Sequence, residues 1–256
     1  MIKIENASFT YPDGHKAINK LSLSVKDHEL VGVVGANGAG KSTLLTLLTG
    51  INIAGEGSIY INNISVGSET LREVRRNVGM VFQNPDDQLF MSSVFDDIAF
   101  GPRNHGLSET ETENRVAKAL KILDIEHLRH RMPHKLSGGE KRSVAIASVL
   151  SMNPFILLLD EPSSFLDPRS RRNLIEVLKD LKMTQLIATH DLDLVLDVCE
   201  RVIVLKDGEI YAEGVPSDIL VRDELMADCG LEPPLSLGDC PVFKQGKCKG
   251  IIGGLQ

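Results

Sequence analysis

Two hydrophobic rhythms divide the chain. Over residues 1–29 apolar and polar positions alternate, interrupted by the turn Tyr11-Pro12-Asp13-Gly14. Together with residues 57–64 this alternation predicts a small antiparallel sheet. The unbroken apolar run 30–34 reads as a buried strand, and residues 41–49 behind it read as a helix stopped by Gly50. From residue 93 to 150 the period turns helical, with Ser93/Asp96 and Ser108/Glu111 spaced as capping boxes. Beyond that, apolar runs at 155–159, 186–188 and 202–205 alternate with helical stretches, as in a mostly parallel sheet. Asp207-Gly208 marks a hairpin into residues 209–212. The expected architecture is α/β: a mostly parallel sheet core, a small antiparallel β subdomain, and a helical subdomain inserted at roughly residues 88–150. From Pro216 a helix is expected, followed by a Pro- and Gly-rich stretch that loosens. No internal repeat is evident.

Chemistry enters where the first buried strand ends. Gly35-Ala36-Asn37-Gly38-Ala39-Gly40-Lys41-Ser42-Thr43 fits GxxxxGK[ST] between a strand and a helix. Glycines let backbone N–H groups curl around phosphate oxygens, and the helix N-terminus adds the positive end of its dipole. Lys41 reaches the β- and γ-phosphates and the Ser42 hydroxyl ligates Mg²⁺. This reads as the phosphate loop of a RecA-like P-loop NTPase, so a nucleoside triphosphate with Mg²⁺ is the expected ligand.

Three more polar residues stand at strand ends, where ligands of open α/β sheets bind. Asp160 ends the run 155–159 and is placed to hold Mg²⁺ through water. Glu161 follows it, where it can polarise an attacking water. His190 follows the strand at 185–189, where a neutral imidazole can face a γ-phosphate.

Leu136-Ser137-Gly138-Gly139-Glu140 precedes the Asp160-Glu161 strand, Gln83 follows the phosphate loop, and Ser164-Phe165-Leu166-Asp167 precedes His190. In this order the motifs resemble the ATP-binding cassette (ABC) family over roughly residues 1–220, leaving 221–256 as a C-terminal tail. The resemblance implies two cassettes, identical or merely similar, whose ATP sites each pair one phosphate loop with the partner's signature. Ser137, Gly138 and Gly139 then contact the nucleotide of the other subunit, and Gln83 senses Mg²⁺ and γ-phosphate. It also implies that Tyr11 stacks on adenine, with Ala17 flanking the base.

Residues 81–90 and 97–102, with Phe9–Gly14 and Pro133–Ser137 as further matching segments, are similar to the ATPases of energy-coupling factor importers, nearest to the cobalt and nickel type. That similarity implies a transmembrane coupling protein and a substrate-capture membrane protein as partners, at the cytoplasmic face of the cell membrane. Vitamin importers use very similar cassettes, and an ATPase cassette does not touch the cargo.

Composition narrows the alternatives. The 256 residues are 42% hydrophobic with a net charge of −7; this suffices for one substantial core and disfavours a nucleic-acid face. No apolar run approaches the ~18 residues of a membrane span, and no signal-peptide pattern is present. Cys199, Cys229, Cys240 and Cys248 match no zinc or disulfide framework, which points to reduced thiols. A DNA-repair ATPase needs a long coiled coil between Gln83 and Ser137, and no sustained heptad run is there. A translation factor normally carries two cassettes and a basic linker.

Departures from the family pattern carry expectations of their own. Glu140 replaces the usual signature glutamine. A carboxylate about 8 Å from nucleotide charge at an effective dielectric of ~20 costs on the order of 2 kcal/mol per unit charge, so it is expected to turn toward Lys141 or Arg142. Ser163 and Phe165 also replace other residues common after the Asp160-Glu161 strand. Phe165 is bulky for a loop that crosses a dimer interface. The turn after Gln83 is expected to be exposed, with Leu89 and Phe90 as an apolar footing for a membrane partner.

Overall fold

The computed structural model describes residues 2–234 and 236. Its central sheet contains β3 (Leu30–Val34), β6 (Val78–Val81), β7 (Ile156–Asp160), β8 (Thr184–Ala188), β9 (Arg201–Lys206) and β10 (Glu209–Gly214). The spatial order is β10-β9-β3-β8-β7-β6. Every neighbouring pair is parallel except β9 with β10. The second sheet is antiparallel: β1 (Ile2–Thr10), β2 (Lys16–Val25), β4 (Glu56–Ile61) and β5 (Ile64–Ser65), in the order β2-β1-β4-β5.

The central strands are buried on both faces, which explains their unbroken apolar runs. Val31, Val33, Ile156, Leu158, Leu186, Ile203 and Leu205 face the antiparallel sheet and helix α1 (Lys41–Leu48). Val34, Leu157, Leu159, Ile187, Val202 and Val204 face the helices on the other side. Gly32 belongs to that second face, where an added Cβ would stand 2.8 Å from Cγ1 of Val195.

Between β6 and β7 the chain inserts α3 (Val94–Asn104), α4 (Glu109–Ile122) and α5 (Gly138–Leu150). Here α2 is Leu71–Asn77, α6 Pro168–Asp180, α7 Leu192–Val198, α8 Pro216–Ile219 and α9 Asp223–Asp228. Ser93 and Ser108 do accept from the backbone N–H of Asp96 and Glu111, but these caps are not reciprocal boxes. The Asp96 carboxylate takes the Ser93 hydroxyl instead, and Glu111 lies beside Arg115. The reciprocal capping box is at Ser137 and Glu140.

Two features were not evident from periodicity. Strand β6 and helix α2 are too short to show a clear period. Asn62 and Asn63, at φ 49° and 67°, break the stretch 57–64 into two strands. Asp207 and Gly208 (φ 50° and 78°) form the hairpin turn where it was expected. The helix from Pro216 is also present, and α9 joins the main core through Met226, with Cys229 at its C-terminal cap joining too. The looser stretch anticipated further on lies outside the described residues, as do Cys240 and Cys248. No helix among the described residues is long and apolar enough to cross a membrane.

Candidate nucleotide site

The loop between β3 and α1 turns around Gly38 (φ 82°) and Gly40 (φ 104°). A Cβ on Gly40 would stand 2.5 Å from the Ala17 carbonyl, so chain conformation and close approach both require glycine there. No side chain caps the N-terminus of α1, which leaves its first N–H groups for an anion. The loop forms the floor of a cleft of about 630 Å³.

Of the residues singled out from sequence, Tyr11, Ala17, Gly35, Ala36, Asn37, Gly38, Gly40, Lys41, Ser42, Thr43, Gln83, Glu161 and His190 line this cleft. Ala39 is buried against the core instead. The Tyr11 hydroxyl lies 3.1 Å from Oγ1 of Thr43. Its ring stands edge-on to Phe9 and parallel to His15, with centroids 6.4 Å apart.

Lys41 turns its Nζ into the loop and donates to the carbonyls of Gly35 (2.7 Å) and Ala36 (3.2 Å). Burial lowers its pKa, against the opposing pull of Glu161 and Asp160. Asp160 is 6% exposed. Burial raises its carboxyl pKa, countered by a hydrogen bond from Ser42 and aided by the nearby Glu161. Its Oδ1 is buried without a hydrogen-bond partner. An orphaned carboxylate oxygen beside a serine hydroxyl is the hard oxygen set that suits Mg²⁺, so these residues fit that ion.

Glu161 adopts φ 46°, a left-handed conformation uncommon for a side-chain-bearing residue. Its N–H donates to the Ala188 carbonyl at 2.8 Å. Its Oε2 accepts from Thr189 Oγ1 (2.9 Å) and from the His190 backbone N–H (3.2 Å), and it lies 2.8 Å from His190 Nδ1. Adjacent strand ends β7 and β8 bring these residues together.

The signature lies elsewhere. Ser137, Gly139 and Glu140 line a separate cleft of about 470 Å³ against α6, and the single chain does not bring them to its own phosphate loop. Glu140 does not turn to Lys141 or Arg142. Its Oε2 accepts from the Ser137 N–H at 2.7 Å, which holds its carboxyl below the usual carboxylate range. Lys141 instead pairs with Asp86 at 2.6 Å. Arg142 reaches the carbonyls of Phe82 and Gln83. Phe165 is 93% exposed at φ 63°, an uncommon conformation for a bulky residue.

Leu89 is another correction: it is 8% exposed and packed in the core, while Phe90 is 63% exposed. The ring of Phe90 meets Phe100 edge-on at 5.0 Å. Both line a largely apolar groove of about 510 Å³ with Phe82 and Gln88. Cys199 and Cys229 are buried free thiols, and burial pushes the Cys199 thiol to about 12. No cluster of three or more metal-ligating side chains occurs among the described residues. His15, Gly230 and Leu231 also line the nucleotide cleft. No sequence pattern marked the last two, because they reach the loop only through the fold.

A phosphate loop at the end of a central parallel strand, with two carboxylates and a histidine at neighbouring strand ends, defines a P-loop nucleoside triphosphatase. Residues 18–164 match the profile of the ABC transporter family. A putative ABC transporter ATP-binding protein from Geobacter sulfurreducens is 52% identical over 94% of this chain and 97% of its own length. An energy-coupling factor transporter ATP-binding protein from Carboxydothermus hydrogenoformans is 45% identical over 91% and 87%. Among solved structures, cbiO1 of Clostridium perfringens, described as part of the ABC transporter complex cbiONQ, superposes with a TM-score of 0.79. It is 38% identical over 89% of this chain and 93% of that one. A dimeric cassette bound to ADP and Pi gives a TM-score of 0.77 at 31% identity, over 84% and 99%. The chain belongs to the ABC transporter family and is an ATP-hydrolysing cassette.

Proposed function

We propose that this cassette, residues 1–220, powers an energy-coupling factor importer whose cargo is a transition-metal ion, cobalt or nickel. Support comes from the named relatives, one an energy-coupling factor subunit and another part of a cbiONQ complex. The separation of the signature from the phosphate loop within one chain carries the paired-cassette part of the reading. It fits a site completed by a second cassette, identical or similar, as in the dimeric relative.

In this reading the amides of residues 35–43 and Lys41 cradle the β- and γ-phosphates, and Tyr11 and Ala17 hold the adenine. Ser42, Asp160 and Gln83 hold Mg²⁺, which when bound neutralises phosphate charge. Glu161, oriented by Thr189 and His190, accepts a hydrogen bond from the attacking water. Ser137, Gly138 and Gly139 of the second cassette place a helix N-terminus against the γ-phosphate, where negative charge builds. The groove beside Phe90 receives a cytoplasmic helix of the transmembrane coupling protein, which places the chain at the cytoplasmic face of the membrane with a substrate-capture protein alongside.

The test is co-expression with a transmembrane coupling protein and a substrate-capture membrane protein of an energy-coupling factor importer. ATP-dependent uptake of radioactive cobalt or nickel that is lost with Lys41→Ala supports the reading. Uptake of a vitamin and not of either metal would replace the cargo and leave the ATPase role standing.

A further inference from the structure

The loop that begins at Gln83 is tied along its length to α5, the helix capped by Ser137. Gln88 Nε2 donates to the Ala145 carbonyl at 2.7 Å and to Ser148 Oγ at 2.9 Å. Lys141 pairs with Asp86 at 2.6 Å. Closest to the nucleotide cleft, Arg142 donates through Nη1 to the Phe82 carbonyl at 2.7 Å and through Nη2 to the Gln83 carbonyl at 2.5 Å.

Arg142 is only 2% exposed, and its Nε is buried without an acceptor. A buried cation whose fork is directed at carbonyls is an expensive way to pack a helix; apolar residues of similar volume do that as well or better. What the guanidinium adds is geometry, since its rigid planar fork fixes two successive carbonyls in one orientation, whereas a lysine ammonium is a point charge on a flexible stem. It fixes the backbone of Gln83 relative to the turn of α5 that bears the signature.

We propose that Arg142 is a positioning residue: it clamps Gln83 to the signature helix, so that Gln83 at its own nucleotide and Ser137 at the second cassette's nucleotide move as one body. This rests on the roles proposed above for Gln83 and Ser137. The clamp makes each subunit's grip on its own nucleotide responsive to how its signature sits on the other.

The experiment is a double-mutant cycle on the full-length chain, measuring Mg²⁺–ATP turnover of Arg142→Gln, Gln83→Ala and the pair. ATP binding in EDTA and thermal unfolding are followed in parallel. Arg142→Gln should lower kcat by ~10- to 100-fold and raise the Mg²⁺ concentration needed for half-maximal turnover. ATP affinity in EDTA should stay within about threefold, because the phosphate loop is untouched. Arg142→Lys, which keeps the charge but not the fork, should recover only part of the rate. It carries the cycle if the glutamine variant does not fold.

In the Gln83→Ala background the Arg142 change should cost nothing more. Multiplying losses, with Gln83→Ala itself slow, would overturn the clamp and leave Gln83 in place. Normal turnover by Gln83→Ala would overturn the role of Gln83 and the clamp with it.

Discussion

Glu161 and His190 are joined across two strand ends: imidazole Nδ1 lies 2.8 Å from carboxylate Oε2. The backbone N–H of His190 and the hydroxyl of Thr189 donate to the same oxygen. One carboxylate oxygen is thus held by the two residues that follow β8, in a residue whose backbone is itself in the left-handed region. Such concentrated orientation is what a residue directing a water molecule requires.

Glu161→Gln should therefore keep ATP binding and slow hydrolysis at least ~10²-fold, the range for a positioned base. The nucleotide-loaded dimer should persist on size exclusion. Wild-type turnover in this variant removes Glu161 from the mechanism.

The separation of the two clefts predicts complementation between damaged subunits. Lys41→Ala and Ser137→Ala should each be inactive alone, since every composite site then lacks one half. Mixed and allowed to exchange, they should regain partial activity from heterodimers with one intact site and one doubly damaged site. A mixture as inactive as its components would argue that the sites are not shared.

Leu89 and Phe90 are neighbours with opposite surroundings, and aspartate should expose the difference. Leu89→Asp buries a charge in the core and should destabilise the chain by more than ~3 kcal/mol, read as a lower unfolding midpoint. Phe90→Asp should leave folding and ATP binding intact while abolishing co-purification with the membrane subunits from detergent. Normal co-purification of Phe90→Asp rules out this groove as the docking site.

Asp160 gives a pH signature. Burial raises its pKa in the folded chain above the ordinary 3.8, so the folded state binds this proton more tightly than the unfolded state. As pH rises from 3.8 through the raised value, this residue's contribution to stability falls, and the full cost persists at neutral pH. Nucleotide-free Asp160→Asn should then melt higher than wild type at pH 7, and should lose Mg²⁺-dependent hydrolysis. The difference should shrink as pH is lowered toward the ordinary carboxylate range. A lower melting point for Asp160→Asn at pH 7 would contradict the desolvation argument.

Local chemistry made much of this protein legible in its sequence. The phosphate loop, the strand ends at Asp160 and just before Thr189, and the Asp207-Gly208 hairpin each depend on a few consecutive residues with strong conformational or apolar preferences. Their positions followed from those residues alone. The tertiary structure decided whatever depends on which face meets which. Leu89 and Phe90 are both large apolar residues, and only the tertiary packing buries one and exposes the other. Glu140 was free by sequence to face Lys141, but capping of its own helix at Ser137 takes its carboxylate. Strand β6 has four residues, too few for a period, and gains its identity by pairing with β7. Arg142 reads as one more charged helix residue until the fold places two carbonyls against it. Gly230 and Leu231 are nearly two hundred positions from the phosphate loop, and only the return of the chain through α9 brings them to its cleft.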